Sequence, residues 1–206
     1  MEQNQQVQPP VFNQPQQAPQ QPAPQYQPRV TASPMMDPVT AVKTCFKKYF
    51  DFKGRARRSE FWWFVLFVLI VSSALTFLSG LVPAIGYLSL AFSLAMVIPE
   101  IAALTRRLHD SGHSGWWVLL LVLCILGYYG SLAYLIGPNL ENFASITDPM
   151  EMGMEMVNSI QSSPAVTTVM VCCSIGVIIL SIITIIFAVF DSKWNENKYG
   201  PSPKYQ

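Results

Sequence analysis

The residues best suited to chemistry lie in one short segment, residues 106–117, which reads RRLHDSGHSGWW. This segment holds both histidines of the chain and lies between two long apolar segments. His109, Asp110 and His113 could ligate a metal ion, since histidines four residues apart share one face of a helix. The two glycines of the segment instead favour a tight hairpin turn, with Asp110 at its start. We prefer the turn and predict no metal site.

A second candidate is Glu100, the one ionisable residue well inside an apolar segment. A charged side chain at the centre of a bilayer costs roughly 2.5–3.5 kcal/mol to insert, so it needs a partner or a proton. Pro99 also frees the carbonyl of Ala95, which offers a further acceptor. We predict a polar cluster that is either an ion, proton or headgroup site or an ion-paired staple that fixes helix packing. Its candidate members are Glu100, Asp110, Arg55, Arg57, Arg58, Arg106 and Arg107.

A methionine-rich segment near residue 150 could bind copper, because thioethers are ligands for Cu(I). Its candidate ligands are Met150, Met152, Met154 and Met156. Asp148 followed by Pro149, however, is typical of a helix start. An amphipathic helix at the membrane interface explains the same residues without a metal. We favour the helix and predict no cofactor.

Known catalytic motifs are absent from this sequence. It contains no nucleophile elbow, P-loop, dinucleotide fingerprint or zinc-protease helix. We therefore expect the protein not to be an enzyme, and an activity on lipid by dispersed residues is the weakest of the hypotheses. The four cysteines indicate no disulfide framework.

The composition around these residues is that of a membrane protein. Of 206 residues, 51% are hydrophobic and 12% are charged, whereas soluble domains carry about 25% charged residues. Four apolar segments are each long enough to cross about 30 Å of hydrocarbon as a helix. They lie at about residues 61–82, 84–104, 116–136 and 166–190. Because backbone in lipid must satisfy its own hydrogen bonds, we predict an all-α, polytopic fold with four transmembrane helices in residues 37–206.

Two further segments precede the first span. Residues 1–36 are rich in Gln and Pro, so we predict a disordered tail, although Pro19 and Pro22 could dock in an aromatic groove of a partner. Asp37 and Pro38 predict the start of a short, basic, amphipathic helix. That helix either lies on an anionic membrane surface or packs on the cytoplasmic ends of the spans.

The positive charges predict the orientation in the membrane. All 13 Lys and Arg residues lie before residue 59, at 106–107 or after 192. Four spans put these regions on one side, so the positive-inside rule places both termini in the cytoplasm. Tryptophans at the starts of the first and third spans are expected to act as interface anchors. They are Trp62, Trp63, Trp116 and Trp117.

Three motifs in this sequence resemble the signatures of a bacterial membrane family, the domain of unknown function 805. They are FDFKGRARRSEFW at residues 50–62, RRLHDSGHSGWW at 106–117 and NKYGPSP at 197–203. The resemblance covers about residues 43–206 and implies a small bacterial inner-membrane protein. It implies no established activity, so no catalytic residue follows from it.

Two functions stay open at this point. The basic motifs without catalytic groups favour a structural or regulatory membrane protein whose cytoplasmic face contacts anionic lipid or a partner protein. Alternatively, Glu100 could line the path of an oligomeric transporter or channel for a small ion or solute. Ala91 and Ala95 then offer a contact face between copies, or towards another membrane protein. We expect no nucleic-acid partner.

Overall fold

The computed structural model of this chain describes residues 31–205, and the regular secondary structure of these residues is helical. The predicted tail lies largely outside the described residues. A 3₁₀ turn at Gly137–Asn139 follows the fourth helix. The helices are α1 (Pro38–Lys47), α2 (Arg58–Leu81), α3 (Ile85–Asp110), α4 (Trp116–Ile136), α5 (Leu140–Ser145), α6 (Pro149–Ser162) and α7 (Pro164–Val189).

Within the described residues, four helices are long and apolar enough to cross a membrane, namely α2, α3, α4 and α7. The all-α, four-span prediction is therefore confirmed. The largest difference in span bounds is at α3, which continues to Asp110 rather than ending near residue 104. The side chains of its last two turns, from Thr105 to Asp110, are buried.

The spans associate as two pairs. α2 packs along α3, and α4 packs along α7, whereas α3 makes a smaller contact with α4 and α7. An apolar crevice of about 480 Å³ separates α2 and α3 from α4 in the membrane-spanning part. The two pairs are joined where α1, the α3–α4 loop and the C-terminal segment 191–205 meet. We call this region the charged end, because it contains every Lys and Arg of residues 31–205.

α1 begins at the predicted cap. The Asp37 carboxylate accepts a hydrogen bond from the Thr40 amide at 2.9 Å, and Pro38 occupies the first turn, where a missing N–H costs nothing. The fully buried Ala41 and Cys45 form the contact face of α1. α1 therefore packs on the end of α2, which is the second of the two placements left open by the sequence.

Aromatic side chains seal the contact between α1 and α2. The Phe46 ring meets the rings of Phe64 and Phe67 edge-on, with centroids 5.8 and 6.0 Å apart. Edge-to-face pairs stabilise such contacts by about 0.5–1.5 kcal/mol beyond the area that they bury. The outer face of α1 stays open, since Val39 and Lys43 are exposed.

At the opposite end, α6 begins where the sequence predicts. The Asp148 carboxylate accepts from the Met150 amide at 3.0 Å, and Pro149 is the first helical residue. This end carries acidic but no basic side chains among the described residues. The charge asymmetry of the sequence thus becomes an asymmetry between the two ends of the bundle.

Cysteine and glycine side by side allow α4 and α7 to approach closely. A Cβ atom on Gly127 would lie 2.7 Å from Cys173 Sγ, and one on Gly176 would lie 2.9 Å from Cys124 Sγ. Each cysteine of one helix thus fills the notch left by a glycine of the other. Such contacts between small residues bring helices together in lipid, where the hydrophobic effect does not favour helix–helix contact over helix–lipid contact.

Gly127→Ala should destabilise the α4–α7 pair, because the added methyl group would overlap Cys173 Sγ. We expect Gly127→Ala to be less stable than Gly130→Ala by about 1–3 kcal/mol, the usual cost of overpacking. Gly130 is the matched control, since a Cβ there meets nothing within 4 Å. The measurement is an SDS titration in mixed micelles followed by far-UV circular dichroism. Adding Cys173→Ala should restore stability; equal stability of the two alanine variants would contradict this packing.

Candidate functional site

The charged end is built around one buried carboxylate, that of Asp110, the last residue of α3. Its Oδ1 atom accepts from Arg55 Nε at 2.9 Å. Its Oδ2 atom accepts from Arg107 Nη1 and from the Ser192 hydroxyl. Asp110 and Arg107 are fully buried, and Arg55 and Ser192 are nearly so. We call these four residues the Asp110 cluster.

Arg107 joins the Asp110 cluster to the end of α7. Its Nε atom donates to the Ala188 carbonyl at 2.9 Å, and its Nη2 atom donates to the Phe190 carbonyl. Its Nη1 atom also donates to the Ala56 carbonyl at 3.3 Å. The last carbonyls of a helix lack intrahelical donors and carry partial negative charge, so a guanidinium group is well placed there.

Arg55 fastens the C-terminal segment to the same carboxylate. Its guanidinium group donates to the carbonyls of Lys193, Asn195 and Gly200 at 2.5, 3.0 and 3.2 Å. Because Arg55 is 6% exposed, these bonds are shielded from water. The segment after α7 is therefore held across the end of α3.

The third motif, residues 197–203, packs on His109. The rings of His109 and Tyr199 are stacked with centroids 3.6 Å apart, and Asn197 Nδ2 donates to the His109 carbonyl at 3.0 Å. Gly200 turns the chain with φ +116°, a conformation that side chains with a Cβ rarely adopt. All three motifs thus meet at the Asp110 cluster.

The α3–α4 connection is a tight turn, as preferred on sequence grounds. Ser111 is the C-cap residue that follows α3, and Gly112 has φ +85°, in the left-handed region. His113 stacks on Phe187 with centroids 3.6 Å apart and its Nδ1 atom lies 3.0 Å from the Ser111 hydroxyl. Burial and the nearby Lys193 lower the pKa of His113, which favours a neutral ring.

Each histidine therefore stacks on an aromatic ring, and the two rings belong to different parts of the protein. His109 faces Tyr199 in the C-terminal segment, whereas His113 faces Phe187 in α7. Among residues 31–205, no three His, Cys, Asp or Glu side chains are grouped so as to hold a metal ion. The geometry of the turn is explained by packing and hydrogen bonds.

Arg106 points away from the Asp110 cluster, towards α1. It is 1% exposed, and its Nη1 atom donates to the carbonyls of Lys48 and Asp51. Its Nη2 atom lies 3.5 Å from the buried Glu60 carboxylate, which also lies 4.0 Å from Cys45 Sγ. Burial, together with Glu60, raises the pKa of the Cys45 thiol to about 12, which favours the protonated thiol at neutral pH. Glu60 was not among the predicted site residues, although the motif at residues 50–62 contains it.

Arg57 binds the start of the described chain. It donates to the hydroxyl and the carbonyl of Ser33 at 2.9 and 2.7 Å, and to the Pro34 carbonyl. The Ser33 amide in turn donates to the Lys204 carbonyl at 2.8 Å, and Ala32 forms a β-bridge with Tyr205. Ala32 and Ser33, which belong to the predicted tail, therefore lie beside the C-terminal segment.

Arg58 forms a more exposed ion pair. Its Nη2 atom lies 2.9 Å from Asp191 Oδ1, and Lys204 Nζ lies 2.7 Å from Asp191 Oδ2. Partial burial would raise the pKa of Asp191, but hydrogen bonds from Lys204, the Ser192 amide and Arg58 lower it to about 2. The Asp191 side chain is nevertheless 46% exposed, in contrast to the fully buried Asp110.

Glu100 is not brought to the Asp110 cluster, which corrects the predicted membership. It lies ten residues before Asp110 on α3, or about 15 Å at 1.5 Å per residue. Arg107 reaches towards Asp110 and α7 rather than back towards Glu100. Glu100 instead lines the apolar crevice between α2, α3 and α4, without a hydrogen bond or ion pair to any residue of 31–205.

Pro99 has the local effect that was predicted for it. The Ala95 carbonyl, which has no donor at position 99, accepts a hydrogen bond from the Tyr49 hydroxyl. This bond ties the chain after α1 to the middle of α3.

The predicted interface anchors lie at the starts of α2 and α4. Trp62 and Trp116 are exposed, at 39% and 69%, whereas Trp63 and Trp117 are half-buried. Trp117 packs edge-on against Phe187, with centroids 5.8 Å apart. One tryptophan of each pair thus faces outward and the other inward.

The methionines of α6 all face outward. Their exposed fractions lie between 42% and 75%, and they follow the helix that Asp148 caps. They are Met150, Met152, Met154 and Met156. The helix predicted from Asp148 and Pro149 is present, whereas its position at the membrane interface and the absence of a copper site stay predictions.

Asp110→Asn should strongly destabilise the protein, because two buried guanidinium groups would lose their counter-charge. Removing one partner of a buried ion pair costs about 3–5 kcal/mol. The matched control is Asp191→Asn. Asp191 also faces two cations and precedes a loop, but its side chain is about half exposed. We therefore expect this substitution to lower the free energy of unfolding by less than about 1 kcal/mol. Unfolding in SDS titrations measures both. Similar losses for the two variants would show that burial of the carboxylate does not decide stability.

The protein-family match covers residues 49–201 and is to the family described as "Protein of unknown function (DUF805)". Two relatives from Escherichia coli K12 are named as inner-membrane proteins. The "Inner membrane protein YhaI" is 37% identical over 89 residues, which are 43% of this chain and 75% of the relative. The "Inner membrane protein YhaH" is 35% identical over 91 residues, which are 40% of this chain and 72% of the relative.

A further relative, "Uncharacterized protein YiiR" of Escherichia coli K12, is 35% identical over 94 residues, 43% of this chain and 60% of the relative. No solved structure matches this chain. The family match includes the three motifs that meet at the Asp110 cluster, apart from the last two residues of the third. This chain is an inner-membrane protein that belongs to the DUF805 family.

Proposed function

We propose that this protein is a structural or regulatory component of the inner membrane, without enzymatic activity, whose charged end contacts anionic lipid headgroups. A partner protein with an acidic surface is the alternative contact. One observation carries the proposal: Lys43 and Lys47 of α1, and Lys48 directly after it, form none of the ion pairs within residues 31–205, and Lys43 lines an apolar groove. We call these three residues the lysines of α1.

The cations of the charged end divide into two groups by their partners. Arg55, Arg106 and Arg107 are buried and bound to carboxylates and carbonyls, so they stabilise the fold and are not available to a headgroup. Lys43 and Lys47 are exposed on the outer side of α1, and Lys48 follows them at its end. The lysines of α1, rather than these three buried arginines, are therefore candidates for contact with lipid.

The groove beside these lysines suits a lipid chain. It measures about 500 Å³ and lies between α1 and α2, with apolar walls that include Val42, Trp63 and Phe67. Lys43 lines its rim. The contact face of α1 packs on α2, so a lipid chain would contact the walls of the groove rather than that face. Each lysine near an anionic surface adds about 1 kcal/mol of attraction.

The transporter hypothesis receives less support. The crevice that Glu100 lines has apolar side chains as its other described lining residues, among them Phe64, Ile101 and Leu121. A path for ions or protons needs a succession of polar groups or water. Among residues 31–205, none of the charged-end cations reaches Glu100.

Replacing the three α1 lysines by glutamine should reduce the preference for anionic lipid. We expect the wild type, in vesicles of phosphatidylglycerol and phosphatidylcholine, to select the anionic lipid at low salt and less so in 0.5 M NaCl, because salt screens the attraction (Debye length about 3 Å at 1 M). Lys43→Gln with Lys47→Gln and Lys48→Gln should lower the selectivity several-fold, since each lysine contributes about 1 kcal/mol. Quenching of tryptophan fluorescence by brominated lipids measures the selectivity.

The matched control replaces the same three lysines by arginine, which keeps the charge and should keep the selectivity. A wild type that takes both lipids equally at low salt would refute the lipid proposal. Loss of selectivity in the arginine variant as well would mean that lysine charge is not the cause.

We also infer that the charged end faces the cytoplasm, because the opposite end carries no Lys or Arg among the described residues. A fluorescent protein fused after Gln206 should fluoresce, and alkaline phosphatase fused there should be inactive. Alkaline phosphatase inserted after Ile146, between α5 and α6, should be active, since that loop lies at the opposite end. The reverse pattern of phosphatase activity would overturn this orientation.

A further inference from the structure

We infer that the charged end holds one discrete anionic phospholipid in a second pocket, between the start of α2 and the C-terminal segment. The pocket has a volume of about 470 Å³. We call it the Arg58 pocket, and its argument rests on Arg57, Arg58, Lys204, Asp191, Trp62 and Leu66, which line it. This inference rests on the proposed function and specifies where one lipid binds.

The polar part of the Arg58 pocket is positively charged. Arg57, Arg58 and Lys204 contribute three positive charges, and Asp191 contributes one negative charge, which leaves a net charge of +2. The hydrogen bonds of Arg57 go to the uncharged groups of Ser33 and Pro34, so its charge has no counter-ion among residues 31–205. A phosphodiester would supply the missing negative charge.

The carboxylate of Asp191 occupies the position that a phosphate would take. It bridges Arg58 Nη2 at 2.9 Å and Lys204 Nζ at 2.7 Å, as two oxygens of a phosphate can. Unlike Asp110, it is 46% exposed, and the Arg58 side chain is 42% exposed. This ion pair is therefore weak enough to exchange for an incoming anion.

The apolar part of the Arg58 pocket selects a lipid rather than a soluble anion. Trp62 and Leu66 lie one turn apart on α2, both partly exposed, and they continue from Arg58 along the helix into its membrane-spanning part. A phosphate at Arg58 and Lys204 would thus place an acyl chain against Trp62 and Leu66. A free phosphate would leave this apolar wall uncovered.

Two features separate the Arg58 pocket from the α1 groove. The Arg58 pocket has its cations on α2 and on the C-terminal segment, whereas the α1 groove has Lys43 at its rim. The Arg58 pocket also contains its own competing carboxylate. A lipid bound there must displace Asp191 from Arg58 and Lys204, so removing the carboxylate and removing a cation should have opposite effects.

The test is native mass spectrometry of the detergent-purified full chain, titrated with phosphatidylglycerol or phosphatidylcholine. We expect the wild type to retain one phosphatidylglycerol in preference to phosphatidylcholine. Arg58→Gln and Lys204→Gln should each weaken this binding about fivefold or more, and Asp191→Asn should strengthen it by a similar factor. Lys53→Gln is the matched control, since Lys53 is exposed and does not line the pocket, and should bind like the wild type. Circular dichroism melts confirm that each variant is folded.

Several results would overturn the inference. Weaker binding in Asp191→Asn as well as in Arg58→Gln would mean that the ion pair merely holds the C-terminal segment in place. Displacement of the lipid by millimolar inorganic phosphate would identify an anion site without lipid specificity. If the α1 glutamine variant loses the retained lipid and Arg58→Gln keeps it, the Arg58 pocket is excluded while the proposed function stands. If the wild type retains both lipids equally, the Arg58 pocket does not prefer an anionic lipid and the inference fails, while the vesicle measurement still decides the proposed function.

Discussion

The charged end depends on one interaction, the pairing of a single carboxylate with two guanidinium groups, all three shielded from water. Asp110 accepts from Arg55 and Arg107, which precede α2 and lie within α3, and from Ser192, which follows α7. A buried charge is tolerated only when it is paired and its remaining hydrogen-bonding groups are satisfied. The guanidinium groups meet this condition with backbone carbonyls of the C-terminal segment and of the end of α7. Pairing at Asp110 therefore determines how the start of α2 and the ends of α3 and α7 are placed relative to each other.

The membrane-spanning part could not supply this order by itself. Lipid chains are as apolar as the helix faces, so helix association there depends on close packing and polar contacts. α4 and α7 have such packing in the reciprocal contacts of Gly127 with Cys173 and Gly176 with Cys124. The pairs α2–α3 and α4–α7, by contrast, are separated by the crevice that Glu100 lines. The Asp110 cluster compensates by joining both pairs at one end.

The sequence predicts features that depend on neighbouring residues, such as spans and helix starts. It does not predict which way a side chain points or which distant residue it meets. The lengths of the apolar segments predicted the four spans. Asp37 and Asp148, each followed by a proline, predicted two helix starts. Arg106 and Arg107 are equivalent by residue type, but neighbours on a helix point about 100° apart, so Arg106 binds Glu60 and the end of α1 while Arg107 binds Asp110 and the end of α7. Pro99 predicted a free carbonyl at Ala95, while its donor, Tyr49, lies 46 residues away and has no local signal. Ser192 and Glu60 were missed for the same reason, because their partners are distant in sequence.

The two aspartate–serine pairs of the chain show how one chemical motif can serve two purposes. Asp110 and Asp191 each face two cations and each precede a serine, yet Asp110 is fully buried and Asp191 is half exposed. Water can replace the partners of Asp191 as soon as they separate, so its ion pairs are easily exchanged, whereas those of Asp110 are not. In the lipid site that we propose, the pairs of Asp110 keep the helix ends in place, and the pairs of Asp191 are those that a headgroup would replace. Burial, rather than residue type, therefore separates the charges that build this protein from those that are free to bind.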